Sequence, residues 1–214
     1  TNEDPPPTEL KLVNDPYVRS KTQGEKAAAA FSRETGLPVV QILPGALIGP
    51  GDRGPGPLGV GMVDRLNGLE APSIEGGFPV VDVRDVACAH IRAMEANPVR
   101  DAYLVVATTI SIRELHDMIT QLTGIPPQKL YLPPRVAMVF AFLAEMAARI
   151  RKKPPPFTRN AVRHPAQNQK FDCSRAESEL GVAFRPIEIT VREWVQWWID
   201  NGLVAHPERL QIRA

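Results

Sequence analysis

Short apolar runs alternate along this chain with stretches whose apolar residues recur every three or four positions. Runs rich in β-branched residues predict short strands of a buried parallel sheet, whereas the wider spacing predicts amphipathic helices. We expect strands at 38–43, 78–81, 103–107 and 129–132. Strands that alternate with helices in this way indicate an α/β chain.

Capping residues and glycines mark where the helices begin and end. Ser111, Ser174 and Thr190 are each followed three positions later by a glutamate, which is the pattern of a capping box. Glycines then predict the helix ends, because glycine readily adopts the left-handed conformation found there. The expected helices begin near residues 16, 57, 82, 111, 134, 174 and 190.

The spacing of apolar residues predicts which helix faces are buried. The last helix should bury a stripe of core residues, namely Val191, Trp194, Val195, Trp198 and Ile199. The helix at 82–96 should bury Val83, Val86, Ala87, His90 and Ile91, with His90 as a core residue. Asp82 and Asp85 lie in its first turn, where we interpret both as caps and not as catalysts.

The segment 134–153 is apolar over most of its length and ends in basic residues. It is too short, and too charged at its end, to span a bilayer. We favour a buried helix of a smaller domain. The alternatives are a lid over an apolar substrate and a helix that contacts a membrane surface.

Tyr17 and Lys21 are one turn apart on the first expected helix, which Asp15 and Pro16 are expected to start. A tyrosine hydroxyl normally titrates near 10, and a lysine ammonium close by favours its charged form. Such a pair can exchange a proton with a substrate hydroxyl or carbonyl while a hydride moves elsewhere. The spacing alone is common by chance, so the motifs around it decide the interpretation.

Composition narrows the function classes. The 214 residues carry 25 Lys plus Arg and 24 Asp plus Glu, a net charge of +1, which argues against charge-driven nucleic-acid binding. The two cysteines, Cys88 and Cys173, have no CxxC partner, which favours neither a metal site nor a redox motif. Free cysteines are typical of a reducing compartment, so we expect a cytoplasmic protein.

Several ordered motifs together resemble the extended short-chain dehydrogenase/reductases. Within this superfamily of NAD-dependent epimerases and dehydratases, the chain looks most like the dihydroflavonol 4-reductase and 3β-hydroxysteroid dehydrogenase branch. The resemblance covers nearly the whole chain. It rests on the Tyr17–Lys21 motif and on the segments at 36–44, 47–52, 81–87 and 176–181.

The resemblance implies a fold and a chemistry. The fold would be the later part of a Rossmann-like doubly wound parallel sheet plus a smaller α+β substrate domain. Residues 1–50 and 79–109 would belong to the nucleotide-binding domain, and residues 51–78 and 110–214 to the substrate domain. The cofactor would be NAD or NADP, which Tyr17, Lys21, Pro44 and Leu47 would contact, and the helix at 57–66 would lie over the substrate pocket.

The resemblance also places the glycine-rich turn and a catalytic serine upstream of Thr1. We therefore expect the chain to be the C-terminal portion of a longer enzyme and to be inactive alone. The glycines at 49–54 and 54–59 fit the spacing of a dinucleotide motif, but Pro50, Pro55 and Pro57 remove the N–H groups that would face a pyrophosphate.

The substrate and partners remain open. The expected reaction is hydride transfer at a carbonyl or alcohol carbon of a small, weakly charged substrate. A nucleotide-sugar epimerase or dehydratase is the alternative. In such relatives an arginine usually occupies the position of Phe78, and an apolar residue there argues against a diphosphate. A non-catalytic protein that keeps the fold is the third hypothesis, and the resemblance also allows a homodimer.

Overall fold

The computed structural model describes residues 16–69, 71–97, 100–152, 158–166 and 171–212. Asp15 lies outside these ranges, so its predicted cap on the first helix is not described. Within the described ranges the strands are β1 (Gln41–Pro44), β2 (Ala46–Ile48), β3 (Ser73–Ile74), β4 (Gly77–Asp82), β5 (Ala102–Val105), β6 (Thr108–Ser111) and β7 (Tyr131–Leu132). The α-helices are α1 (Pro16–Thr35), α2 (Pro57–Leu66), α3 (Val83–Glu95), α4 (Ile112–Thr123), α5 (Pro134–Arg151), α6 (Arg159–Ala166), α7 (Ser174–Leu180) and α8 (Ile187–Asp200).

The strands form parallel pairs with one antiparallel addition. β1 pairs with β5, β2 with β4, and β3 with β7, all in parallel, whereas β6 runs antiparallel to β4. Helices alternate with single strands and with pairs of consecutive strands, and the mixed α/β architecture confirms the predicted fold class. The sequence pattern did not predict β6, because a strand with two threonines and a serine is not an apolar run.

Strand β4 separates two hydrophobic cores. Its neighbouring residues Val80 and Val81 are both fully buried but point to opposite sides, as successive residues of a strand do. Val80 belongs to a core built from β2, α2, α4 and α8, and Val81 to one built from α3, β5 and α7.

The first core is centred on the two tryptophans of α8. The rings of Trp194 and Trp198 lie 4.2 Å apart, and both side chains are almost fully buried. The Trp194 indole N–H donates to Asp52, 142 residues earlier, at 3.2 Å. The predicted stripe of α8 is therefore confirmed as core, with Ile199 at its half-buried edge.

Two of the three predicted capping boxes are wrong. The Ser111 and Glu114 box at the start of α4 is present. α7 instead begins at Ser174 itself, whose N–H donates to Asp172, so the serine does not occupy the cap position. α8 begins at Ile187, after Pro186, which places Thr190 inside the helix, where its hydroxyl donates to Asp82 at 2.9 Å.

The predicted buried face of α3 is also wrong. The face that packs inward consists of Asp85, Val86, Ala89 and Ala93, while Ala87, His90 and Ile91 are exposed. His90 is thus not a core histidine. The buried face includes Asp85 because Arg185, 100 residues later, pairs with it through its side chain and its backbone N–H. Only Val86 of the predicted stripe lies on the fully buried face.

Asp82 is the cap of α3, as predicted, whereas Asp85 is not a cap. The Asp82 carboxylate accepts hydrogen bonds from the Arg84 backbone N–H at 2.8 Å, from the Arg84 guanidinium and from the Thr190 hydroxyl. Burial would raise the pKa of Asp82, but these hydrogen bonds outweigh burial and hold the pKa below its usual value.

Helix α5 does not match the favoured interpretation of a buried helix. Only Ala137 and Ala141 are buried, and larger apolar side chains along it are exposed. Among the described residues, no helix is long and apolar enough to cross a membrane.

Candidate active site

Tyr17 and Lys21 lie together on the surface of α1. The Lys21 ammonium nitrogen is 5.6 Å from the centre of the Tyr17 ring, and 63% of Tyr17 is exposed. The helix forms because its sequence is rich in Ala, Lys and Glu, and it ends at Gly36, which has a positive φ. The pair therefore presents a hydroxyl and a cation side by side on an accessible helix face.

One hydrogen bond joins the start of β1 to the middle of α1. After Gly36 the chain runs back along the helix, and the Gln41 side chain donates to the Glu25 carbonyl at 3.3 Å. From Glu25 to Tyr17 the helix extends about 12 Å at roughly 1.5 Å per residue. From Gln41 to Pro44 the strand extends about 10 Å at roughly 3.3 Å per residue. The helix from Glu25 to Tyr17 and the strand from Gln41 to Pro44 are therefore of similar length.

Pro44 and Leu47 stand on either side of a close crossing at the carboxyl end of β1. The Gly45 N–H donates to the Val105 carbonyl at 3.1 Å, and a Cβ at Gly45 would lie 2.6 Å from the Pro79 carbonyl oxygen. Only glycine fits where the chain passes from β1 to β2. Pro44 is exposed, and so is half of Leu47, which leaves this edge open to a ligand. Ligands of open α/β sheets bind at such carboxyl ends.

A cavity of about 680 Å³ lies between α2, β3, the start of β4 and α4. Its lining is mainly apolar, with Leu58, Met62, Ile74, Phe78 and Ile112 among the contributing side chains. Helix α2 has the predicted bounds and lines this cavity, and so does Phe78. The volume suits a small organic molecule.

His116 is a polar residue of the cavity wall that the sequence analysis missed. It is 4% exposed, and burial together with the nearby charge of Arg65 lowers its pKa to about 4. Its Nδ1 lies 3.2 Å from the Tyr131 hydroxyl, and the Arg113 guanidinium stacks 3.9 Å from the centre of the same tyrosine ring. The imidazole is therefore neutral near pH 7.

Arg65 is held at the same wall by neutral acceptors. Its guanidinium donates to the Gln128 side chain and the Thr120 hydroxyl, both at 2.9 Å, and to the Pro126 carbonyl. The signal for His116 was present in the sequence, because Ile112, His116, Ile119 and Thr123 form one stripe of α4. Arg65 had no such signal, since its partners lie more than 50 residues away.

The described residues contain no group of three or more His, Cys, Asp or Glu side chains that could hold a metal ion. Cys88 and Cys173 are free thiols.

Comparisons with known proteins give several relatives, although no protein-family model matches the chain. The chain is 28% identical to sterol demethylase protein B of Methylococcus capsulatus over 88% of its own length and 58% of that protein. It is 27% identical to a putative dihydroflavonol 4-reductase of Synechocystis over 88% of its length and 56% of that protein. It therefore spans less than two thirds of these curated relatives.

Solved structures show the same relationship. A nucleoside-diphosphate-sugar epimerase from Pseudomonas aeruginosa matches 91% of this chain and 58% of its own, with 25% identity and a TM-score of 0.72. These similarities support a relationship to the extended short-chain dehydrogenase/reductases, the superfamily of NAD-dependent epimerases and dehydratases.

More distant structures of the same fold contain nicotinamide cofactors. RMD from P. aeruginosa, at 17% identity and a TM-score of 0.61, is complexed with NADPH. A UDP-glucuronic acid 4-epimerase from Bacillus cereus, at 14% identity and a TM-score of 0.65, is in complex with UDP-glucuronic acid and NAD. At these identities the likeness shows the fold alone.

Proposed function

We propose that the whole protein is an NAD(P)-dependent oxidoreductase that transfers a hydride to or from a carbonyl or alcohol carbon of a small, weakly charged substrate. The observation that carries this proposal is the Tyr17 and Lys21 pair on an exposed face of α1, with the Lys21 ammonium nitrogen 5.6 Å from the centre of the Tyr17 ring. The bound cofactor would supply or accept the hydride. The Tyr17 hydroxyl donates or accepts the substrate proton.

Lys21 has two roles in this proposal. Its ammonium stabilises the phenolate that forms at Tyr17 when the proton leaves, and it also donates to the nicotinamide ribose. The exposed backbone between Pro44 and Leu47 borders the nicotinamide end of the cofactor. Both roles fit a cation on an open helix face next to a tyrosine.

The cavity supports the expected division into two domains. Among the described residues, those that line it all fall within 51–78 and 110–214, the proposed substrate domain. Residues 1–50 and 79–109 would then form the nucleotide-binding part. The mainly apolar wall favours a substrate without a large charge, because an ionised group would lose its hydration there.

Replacement of Tyr17 by phenylalanine tests the proposal. In the whole protein, Tyr17→Phe should lower turnover about a hundred- to ten-thousand-fold, the usual contribution of a general acid or base. Cofactor binding, measured by fluorescence titration, and the melting temperature should not change, because the exposed hydroxyl contributes little to either. A variant that keeps more than roughly a tenth of the wild-type rate would show that Tyr17 is structural.

The epimerase alternative is equally consistent with the comparisons. It is favoured by the similarity to a nucleoside-diphosphate-sugar epimerase and by Arg65, a cation at the cavity wall. Phe78 in the same wall opposes it. An epimerase returns the hydride to its substrate, so it would convert a nucleotide sugar without net change in NADH absorbance. If a properly folded whole protein turns over neither substrate class, the non-catalytic hypothesis is favoured.

A cytoplasmic location and a homodimer remain predictions. Fractionation of cells that express the whole protein tests the first. Light scattering tests the second.

A further inference from the structure

Helix α5 presents a broad apolar face to the outside of the molecule. The helix has 18 residues and is therefore about 27 Å long. At about 100° per residue its apolar face extends over roughly 160°. Exposure reaches 59% at Val139 and 80% at Ile150, and the face comprises Val136, Val139, Phe140, Phe142, Leu143, Met146 and Ile150.

The opposite side of α5 holds it to the protein. Ala137 and Ala141 are fully buried in a small core with Val162 of α6. Glu145 accepts from the Arg159 backbone N–H and side chain, both at 2.8 Å. The small side chains of α5 thus face the fold and its large apolar side chains face away, the reverse of an ordinary surface helix.

The α5 face is not a lid over the cavity. None of the α5 residues lines the cavity. Two residues that do line it are Ala161 in α6 and Thr158 just before α6. The apolar face therefore needs a different occupant. Monomeric proteins rarely expose an apolar patch of this size without a function.

Charge indicates which occupant fits. Between Arg135 and Arg149 the only charged residue of α5 is Glu145, and it is directed to Arg159. Arg149 and Arg151 lie on the two edges of the apolar face, and both are exposed, as is Arg135. Within the described residues Arg135 and Arg151 form no salt bridge. An apolar face bordered by cations complements a layer of lipid tails beneath anionic head groups.

We propose that α5 docks this protein onto the surface of an anionic lipid bilayer. The helix lies in the plane of the interface, with the phenylalanine and leucine side chains among the upper acyl chains. The arginines extend to the lipid phosphates while their stems cover the edges of the apolar face. Because α6 borders the cavity, docking also brings the cavity close to the lipid surface.

Vesicle co-sedimentation of the whole protein tests the proposal. The protein should bind vesicles of phosphatidylcholine mixed with phosphatidylglycerol, bind pure phosphatidylcholine much more weakly, and dissociate as salt rises. Leu143→Glu in the centre of the face should lower the partition coefficient at least about tenfold. The double variant Arg149→Ala, Arg151→Ala should lower it about tenfold on the anionic vesicles only.

Met94→Glu is the matched control. Met94 is 87% exposed on α3, so this change adds the same charge to an exposed apolar position away from α5. It should bind like the wild type. Circular dichroism checks that each variant remains folded. Equal binding of Leu143→Glu and Met94→Glu, or equal binding to both vesicle types, would overturn the proposal. The proposal would also be overturned if the protein did not bind vesicles but formed a dimer that Leu143→Glu dissociates. A second copy of the protein would then cover the apolar face.

Discussion

Helices α1 and α8 form for different reasons and have different roles: α1 carries the candidate catalytic pair on its surface, and α8 packs into the first core. α1 has 20 residues, none of them buried, and an Ala-, Lys- and Glu-rich sequence that favours a helix by itself. α8 begins with the β-branched residues Ile187, Ile189, Thr190 and Val191, which are poor helix formers. It is helical because its buried face packs into the first core.

The comparison separates chemistry from stability. The candidate catalytic pair lies on the exposed helix α1. Removing a side chain there leaves the core intact, because no residue of α1 is buried. The tryptophans lie on the packed helix, in the centre of the first core. We therefore expect substitutions on α8 to lower stability and substitutions of the pair on α1 to lower turnover. Four predictions test this expectation, in order of expected size.

The largest expected effect is the removal of an aromatic ring from α8. Trp198→Ala should lower the free energy of unfolding by about 3–5 kcal/mol, because it leaves a cavity beside Trp194. Phe31→Ala on α1, where half of the ring is exposed, should cost about 0.5 kcal/mol or less. Urea unfolding measures both. Equal losses would show that α1 is packed as tightly as α8.

The core against α8 should also be sensitive to acid through His116 on α4. Its pKa in the fold is about 4 and its ordinary value 6.5, so the unfolded chain binds the proton more tightly. Stability should therefore fall as pH drops from about 6.5 to about 4, by at most about 3 kcal/mol.

His116→Gln should remove most of this pH dependence, as measured by urea unfolding at several pH values. His206→Gln is the control, because His206 is about half exposed. Carboxylates such as Asp82, whose pKa is lowered, lose their contribution only at more acidic pH. A slope that survives His116→Gln would contradict the assignment to this histidine.

On α1 the corresponding change should affect turnover and not stability. In the whole protein, Lys21→Met should lower turnover about a hundredfold, close to 2.7 kcal/mol, and weaken cofactor binding. Lys26→Met, on the same helix, should leave both unchanged. Steady-state rates, cofactor titration and melting curves decide between them. If both variants lose activity equally, the effect reflects helix α1 and not the pair.

The smallest expected effect compares one threonine on each helix. Thr190→Val removes the 2.9 Å hydrogen bond to Asp82 and should cost about 1–2 kcal/mol, because the buried carboxylate loses a donor. Thr22→Val on α1 should stay within about 0.5 kcal/mol. Chemical unfolding with both variants measures the difference. A cost at Thr22 as large as that at Thr190 would remove the distinction between the helices.

Local pattern predicted the elements better than it predicted their surroundings. The bounds of α2, the box at Ser111 and the tryptophan stripe all followed from spacing over a few residues. The position of Asp85 in the first turn of α3 predicts a cap. Its partner is instead Arg185, which is 100 residues away and which no local pattern shows. The same limit explains Thr190, whose acceptor Asp82 is 108 residues earlier.

The candidate site divides in the same way. Tyr17 and Lys21 could be found from their spacing and the motifs around them. The cavity wall could not, since Arg65, His116 and Gln128 come from three separate parts of the chain. For α5, an apolar sequence predicted a helix but not the direction of its apolar side chains, because burial depends on which neighbours exist.

The hydrogen bond between Trp194 and Asp52 bears on how the protein is made. The first core draws on residues near position 50 and on both tryptophans of α8, so it is complete only after the last helix has been synthesised. At about 5–20 residues per second, roughly 7 to 30 seconds separate the synthesis of the two residues. During that interval β2 and α2 expose apolar side chains that α8 later covers. The first core would therefore form only once α8 has left the ribosome.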